Sequence, residues 1–288
     1  MSLTTYTDPQ AFLNQTQTYL ERNEAATALI LGMSLRMVAH GVTVQPYLAV
    51  AESPVGVELV AMMRPSQRLL LWSEQAASNT VLDALAGDLH THHWSVTGVV
   101  GPPYLAEPWL DRWQALTGQP WRLSMNERIY MLTAVIPPPR PAPGRMRIAG
   151  PNDRELATRW AWAFHTEALA EDTMPQVEEV IRRKIADQSL FIWEDGQPVA
   201  MAGYFRETIR SSTISLVYTP PEARRRGYAM MLVAALSQQR LDTGKQFCTL
   251  FTDLANPTAN SIYQQIGYRP VCDFNAYDLE GYGNAAKP

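Results

Sequence analysis

The sequence predicts a mixed α/β (α+β) chain built as two similar domains, and three observations carry that expectation. Its 288 residues are about twice the ~150 of a usual domain, and either half is long enough to bury its own core. In the second half, apolar strand patterns alternate in part with helical ones, as in α/β or α+β domains. The first half repeats the same order of elements, as two copies of one fold would. Between the halves runs Pro137-Pro138-Pro139-Arg140-Pro141-Ala142-Pro143-Gly144. Proline fixes φ and lacks an N–H, so the run favours extended polyproline geometry and reads as a semi-rigid spacer. An edge loop within one domain is the alternative. The expected division is an N-terminal domain over 1–136, a linker over 137–144 and a C-terminal domain over 145–288.

In the first half, Pro9 to Arg22 and Glu24 to Ala39 read as helices. Tyr47 to Ala51, Gly56 to Met63 and Arg68 to Trp72 read as strands. A helix over Ala76 to Leu89, a strand over Ser95 to Val100, a helix over Glu107 to Leu116 and two strands within Trp121 to Ile136 complete it. In the second half, Met146 to Ile148 is a short strand. Asn152 or Asp153 is a plausible N-cap for a helix from Asp153 to Leu169, and Gln176 to Asp187 is another helix. Ser189 to Trp193 and Pro198 to Arg206 flank Asp195-Gly196, a hairpin signal. Thr213 to Tyr218 is a β-branched strand. The helix Gly227 to Leu241 stops at Gly244, the strand Phe247 to Thr252 follows, and the helix Pro257 to Ile266 stops at Gly267. Arg269 to Val271 and Ala276 to Leu279 are closing strands.

Composition narrows the function. Apolar residues are 46% and charged residues 18%, which excludes a disordered chain. With 24 basic and 28 acidic side chains, the net charge of −4 argues against a generic nucleic-acid or anionic-membrane binder. Two cysteines, Cys248 and Cys272, exclude a disulfide scaffold and a cysteine-rich zinc module and fit a reducing cytoplasm. No basic n-region precedes an apolar run, so no signal peptide is expected. Ala25 to Met33 is far shorter than the ~20 residues of a membrane span. The chain has no G-x-G-x-x-G, no G-x(4)-G-K-[ST], no H-E-x-x-H and no G-x-S-x-G. His90, His92 and His93 do not converge on a helix as metal ligands would, and no metal is expected.

The informative segment is Val217-Tyr218-Thr219-Pro220-Pro221-Glu222-Ala223-Arg224-Arg225-Arg226-Gly227-Tyr228-Ala229. A strand enters a proline-marked turn, an arginine loop and a glycine at a helix start. The first N–H groups of a helix lack intrahelical partners and sit at the positive end of its dipole. Gly227 lets an anion approach the backbone, and three arginines add charge and donors. Taken alone, the run also suits a solvated charge cluster before an ordinary helix. A second segment, Asn256-Pro257-Thr258-Ala259-Asn260-Ser261-Ile262-Tyr263-Gln264-Gln265-Ile266-Gly267-Tyr268, has an N-cap, a proline at the first helical position and a glycine stop. Its Asn256, Asn260 and Tyr263 fall on one helix face.

Together these segments resemble the GNAT superfamily of N-acetyltransferases. Its signature is a strand ending V-x-[VT]-x-P followed by [QR]-x-x-G-x-[GA], matched at Val217 to Thr219 and Arg224-x-x-Gly227-x-Ala229. A second motif, N-x(6)-Y-x(3)-G-[FY], is matched by Asn256, Tyr263, Gly267 and Tyr268. The resemblance covers roughly 145–280, and its Thr219-Pro-Pro-Glu and Asn256-Pro-x-x-Asn stretches look like the FR47-like, glycine-acyltransferase-related branch. It implies tandem GNAT-like domains, each a central, mostly antiparallel sheet flanked by helices, with acetyl-CoA as co-substrate. It implies that backbone N–H groups from Arg224 through Arg225, Arg226, Gly227, Tyr228 and Ala229 to Met230 hold the pyrophosphate. Pantetheine would pair with Val217 and Thr219, with an amide near Leu216 or Val217 facing the acetyl carbonyl. Asn256 and Asn260 would hold the pantetheine or adenosine end, and Tyr263 would be the general acid. Ala223 and Arg225 stand where the family often has tyrosine and glycine.

The base is open. A lysine-like amine costs about 4.6 kcal/mol to deprotonate at pH 7, an α-amine only about 1 kcal/mol. Glu167, Glu207, Asp253 and a water chain are the alternatives, with His165 more simply a half-buried helix residue. In the first half, Ser73-Glu74-Gln75 follows the expected strand where an arginine–glycine cradle would lie, and the helix near Pro108 to Leu116 has no tyrosine. That half reads as a degenerate copy shaping an acceptor cleft or an interface. The expected function is acetyl transfer to a primary amine of a small molecule or amino acid, in the cytoplasm, with a homodimer allowed. A non-catalytic acyl-CoA-binding regulatory module and a protein N-acetyltransferase are the competing readings.

Overall fold

The computed structural model describes residues 2–167, 173–205 and 207–281. Two of the expected element ends, Leu169 and Arg206, lie outside them. The chain divides into two compact units. One comprises Met1–Ile129, Thr252–Ala255 and Val271–Pro288, the other Tyr130–Phe251 and Asn256–Pro270.

The elements run β1 (Ser2–Thr5), α1 (Pro9–Arg22), α2 (Glu24–His40), β2 (Tyr47–Ser53), β3 (Gly56–Met63), β4 (Leu69–Trp72), α3 (Asn79–Thr91), β5 (Gly98–Gly101), α4 (Pro103–Thr117), β6 (Trp121–Met125) and β7 (Glu127–Leu132). The same order then recurs as β8 (Arg145–Ile148), α5 (Arg154–Glu167), α6 (Met174–Ala186), β9 (Leu190–Asp195), β10 (Gln197–Phe205), β11 (Ser211–Tyr218), α7 (Tyr228–Asp242), β12 (Phe247–Asp253), α8 (Pro257–Gln265), β13 (Arg269–Asp273) and β14 (Asn275–Leu279). Local chemistry explains many of the ends. Asp8 caps α1 by accepting from the Gln10 and Ala11 N–H groups at 3.0 and 3.2 Å, with Pro9 at the first helical position. Gly118 ends α4 in the left-handed conformation. Strand β1, unexpected from sequence, pairs with β2 from Ser2↔Glu52 to Thr5↔Ala49.

Each sheet has seven strands, ordered β1-β2-β3-β4-β5-β14-β6 and β8-β9-β10-β11-β12-β7-β13. Pairing is mostly antiparallel, with parallel pairs at β4–β5 and β11–β12. The two orders match strand for strand, with one exchange: β14 completes the first sheet and β7 enters the second. The observed boundaries differ from an expected division at 136 and 145: Ala276 to Leu279 pair in the first sheet and β7 in the second. Strand β14 is held by register with β5 (Asn275↔Gly101 to Asp278↔Gly98) and with β6. Tyr277 is wholly buried among α3, α4 and first-sheet side chains. Asp278 accepts from Arg68 and from Arg122, each at 2.7 Å.

The proline run is also not a free spacer. Ala142 is buried in the second unit's core, and Pro143 O accepts from Trp193 Nε1 at 2.8 Å. Gly144 adopts φ +106°, and a Cβ there would overlap Glu194 O. The run is an ordered loop of the second unit.

Alternation along β9 builds that unit's two cores. Phe191 and Trp193 face a cluster with Leu232, Leu236 and Leu250. Leu190 and Ile192 face another with Trp160, Ile181 and Leu216. The sheet is thus covered on both faces, and its open features lie at strand ends.

Candidate functional site

The parallel pair β11–β12 is registered only at Ser211↔Phe247, Ser212↔Cys248 and Thr213↔Thr249. Thr213 Oγ1 and Thr249 Oγ1 close that end at 3.0 Å. Beyond Thr213, β11 continues to Tyr218 with β10 on one side and no β12 register on the other. A row of strand N–H and C=O groups left this way is a template for an extended, amide-bearing ligand.

Within this free stretch the strand is bulged. Gly203 pairs with Ser215 and Met201 with Tyr218, so the β11 side carries one extra residue. Leu216 takes φ +52°, a conformation that costs a non-glycine residue about 1–3 kcal/mol. Its side chain is buried with Trp160, Met201 and Tyr218, which holds the backbone there. Leu216 and Val217 are the β11 residues left without a β10 register partner by the bulge.

The strand then enters the arginine loop. Arg225 has φ +64° and Gly227 φ +84°, and alternation of left-handed with ordinary residues gathers successive N–H groups into an anion-binding concavity. Gly227 is the N-cap of α7, and no side chain caps the helix. The Tyr228, Ala229 and Met230 N–H groups therefore lie at an uncapped, positive helix end. Arg225 occupies the conformation that glycine prefers, which explains in physical terms why glycine suits the position.

The three arginines are not equivalent. Arg224 turns away from the concavity: its Nε donates to Thr219 O at 2.9 Å and its Nη2 to Glu167 at 2.6 Å. That hydrogen bond, with the adjacent negative charge, raises the Arg224 guanidinium above its ordinary value. The Tyr228 hydroxyl, two residues past Arg226, donates to Asp195 at 2.6 Å and anchors α7 to the β9–β10 turn. The Asp195 bond is the first cause of the raised Tyr228 phenol. Arg225 is exposed and makes no described ion pair.

Thr219 lies where the free strand meets the loop. Its Oγ1 is buried and has no hydrogen-bond partner. A buried hydroxyl without a partner is costly unless a ligand satisfies it. This hydroxyl, the free β11 edge and the uncapped helix end all fit the amide arm and pyrophosphate of acyl-CoA.

Tyr263 on α8 is buried in the cluster against which Val217 and Met230 pack. Its ring meets Tyr268 edge-on at 6.0 Å, and burial pushes its phenol up to about 12. Tyr268 is engaged by Ser237 at 2.8 Å. Asn256 and Asn260 serve their own helix: Asn256 Oδ1 accepts from the Ala259 N–H at 3.0 Å, and Asn260 Nδ2 donates to Asn256 O at 2.7 Å. Among the base candidates, Glu167 is engaged by Arg224 and Glu207 by Arg240 and Lys245. Asp253 accepts from the Ala255 N–H at 2.8 Å, and His165 lies half-buried on α5. Among the described residues no group of three His, Cys, Asp or Glu side chains is placed to hold a metal ion. No described helix is long and apolar enough to cross a membrane.

The strand ending at Tyr218, the helix from Tyr228 and the helix carrying Tyr263 stand where the sequence places them, whereas the Glu167–Arg224 pair and the Asp195–Tyr228 anchor join residues far apart in the chain and have no local signal.

The model of the family described as FR47-like protein matches residues 192–276, from β9 into β14. No curated protein sequence matches the chain. Among solved structures, a GNAT-family acetyltransferase from Colwellia psychrerythraea is similar over 97% of this chain and 100% of its own, at 13% identity and TM-score 0.60. A GCN5-related N-acetyltransferase from Sphaerobacter thermophilus is similar over 96% and 95%, at 14% identity and TM-score 0.63. A tandem GNAT protein from the clavulanic acid biosynthesis pathway is similar over 99% and 100%, at 10% identity and TM-score 0.53. At these identities the likeness is one of fold, and it extends over both halves.

Proposed function

We propose that the protein is an acetyl-CoA-dependent N-acetyltransferase of the GNAT type whose second unit carries the chemistry, a reading supported by the match of residues 192–276 to the FR47-like family model. The observation that carries this reading is the free β11 edge, from the left-handed Leu216 into the uncapped N-terminus of α7. The acceptor is a primary amine of a small molecule or amino acid.

Acetyl-CoA supplies an activated thioester. The chain supplies placement and electrostatics. The N–H groups of Gly227, Tyr228, Ala229 and Met230, with the Arg225 guanidinium, hold the pyrophosphate. Val217 and Thr219 pair with the pantetheine amides, and the Thr219 hydroxyl gains the partner it lacks. The Val217 N–H, at the bulge, donates to the carbonyl oxygen as negative charge develops there. One oriented donor of this kind is worth about 2.7–4 kcal/mol of barrier.

Tyr263 holds a proton for the departing sulfur. Its phenol, raised to about 12, is well above an ordinary thiol near 8.5. Complete transfer to the thiolate is uphill, so Tyr263 acts mainly by donating a hydrogen bond that strengthens as charge builds on sulfur. Water is the better supported base, since Glu167 and Glu207 are both committed to cations.

The test is release of free CoA thiol from acetyl-CoA across a panel of primary amines. Amine-dependent release supports the reading. Tight acetyl-CoA binding with no release over the panel would favour a regulatory binding module.

A further inference from the structure

We propose that Arg140, in the proline run, is a phosphate ligand for acyl-CoA and so belongs to the binding site. The proposal rests on the acetyl-CoA reading above.

The run is folded against the anion loop. A Cβ built on Gly227 would lie 3.6 Å from both Arg140 O and Ala142 Cβ. The segment is also held firmly. Prolines at 137, 138, 139, 141 and 143 fix φ at five positions. Ala142 is buried with Ala223, Trp193 and Tyr228. Pro143 O is bound by Trp193 Nε1 at 2.8 Å. Gly144 is locked at φ +106° against Glu194 O. Through Tyr228, the same cluster reaches the Asp195 anchor of α7. Backbone 140–144 and the start of α7 are thus one packed assembly, which fixes the Arg140 backbone beside Gly227 and leaves its exposed side chain free to reach a ligand.

The charge arrangement points the same way. Arg224 is committed to Glu167. Arg140 and Arg225 are exposed, and among the described residues no carboxylate is paired with either. Arg225 lies two residues before the Gly227 cap, and the Arg140 backbone lies beside Gly227. Acyl-CoA brings a pyrophosphate and a 3′-phosphate, more charge than the helix end and Arg225 alone offset. A guanidinium on a rigid backbone suits that surplus, because its planar fork binds phosphate bidentately.

The test is calorimetric titration of the full chain and its Arg140→Ala, Arg140→Glu and Arg140→Lys variants with acetyl-CoA and with its 3′-dephospho form. Arg140→Ala should weaken acetyl-CoA binding about tenfold. Arg140→Glu should weaken it more, and Arg140→Lys should restore part of the loss. A loss that disappears with the dephospho compound places Arg140 on the 3′-phosphate; a loss that persists places it on the pyrophosphate. Arg159→Ala, on α5, removes an equal charge elsewhere and should leave affinity unchanged. Wild-type binding with an unchanged Arg140→Glu affinity overturns this proposal alone. No binding by the wild-type chain overturns the acetyl-CoA reading together with it.

Discussion

The final strand offers the sharpest stability test. Tyr277 is fully buried in the first unit's core, its ring edge-on to Trp121 at 5.6 Å and its hydroxyl donating to Glu107 at 2.9 Å. Truncating a buried aromatic to alanine costs about 3–5 kcal/mol in transfer and cavity terms. The Glu107 carboxylate also loses its donor, a charged hydrogen bond worth about 1.5–3 kcal/mol. Tyr277→Phe should therefore cost about 1.5–3 kcal/mol, and Tyr277→Ala about 5 kcal/mol or more, close to the whole stability of many domains. Urea unfolding followed by tryptophan fluorescence measures the total. Hydrogen exchange read by peptide gives the location, with protection falling in β5 and β6, between which β14 is paired, and persisting in β9 and β10. A loss below about 1 kcal/mol for Tyr277→Ala would refute the packing argument. Protection lost first in β9 and β10 would refute the assignment of 275–279 to the first unit.

Other outcomes follow from the site. Tyr263→Phe should lower kcat by about 10- to 100-fold with acetyl-CoA affinity within about twofold; an unchanged kcat in thiol-release assays removes its role at the sulfur. A phenol raised to about 12 stays protonated below that pH, so kcat/KM should climb as the amine deprotonates and show no descending limb below about pH 10. A falling limb near pH 8 would mean that another acid is required. Gly227→Ala meets no protein atom within 3.6 Å, so its cost is the left-handed backbone, about 1–2 kcal/mol. It should appear as weaker acetyl-CoA binding in the same titration, and full affinity would show that the φ of +84° is dispensable.

Local chemistry was legible and distant partnership was not. The Pro9 start, the Asp195-Gly196 turn and the Asn256-Pro257 cap each act within a few residues, so the sequence alone displays them. The strand ending at Tyr218, the turn after it and the helix from Tyr228 are legible as elements because one strand–turn–helix unit carries its own proline and glycine punctuation. Nothing local marks Ala276 to Leu279 as a strand of the first sheet, because its neighbours β5 and β6 are chosen by long-range packing. The proline run shows the same limit. Its rigidity was readable, but Trp193, which fixes it, lies far along the chain. The bulge was hidden for a different reason: a leucine at φ +52° has no compositional signal and exists because the core around Trp160 demands it. Ser2 to Thr5 has a single apolar residue, Leu3, which packs on the core, and one apolar position in four residues shows no alternation.

The two halves show that the sheet order alone does not make a cofactor site. Both place a parallel pair at the same point, β4–β5 and β11–β12. Both strands run past their last registered partner, β11 by five residues to Tyr218 and β4 by two to Trp72, but in the first half Gly101 stays close to Leu71, where a Cβ on Gly101 would lie 3.0 Å from Leu71 O. The loop after β4 also satisfies itself. Tyr19 Oη accepts from the Glu74 N–H at 2.9 Å, and Tyr104 Oη donates to Ser73 O at 2.6 Å. Glu74 adds negative charge where a phosphate would need positive charge. Binding of a pyrophosphate there would require both closing contacts to break and a carboxylate to be tolerated beside it. Titration of the whole chain should therefore saturate at one acetyl-CoA, and saturation at two would show that β4 and β5 part despite the contact between Gly101 and Leu71.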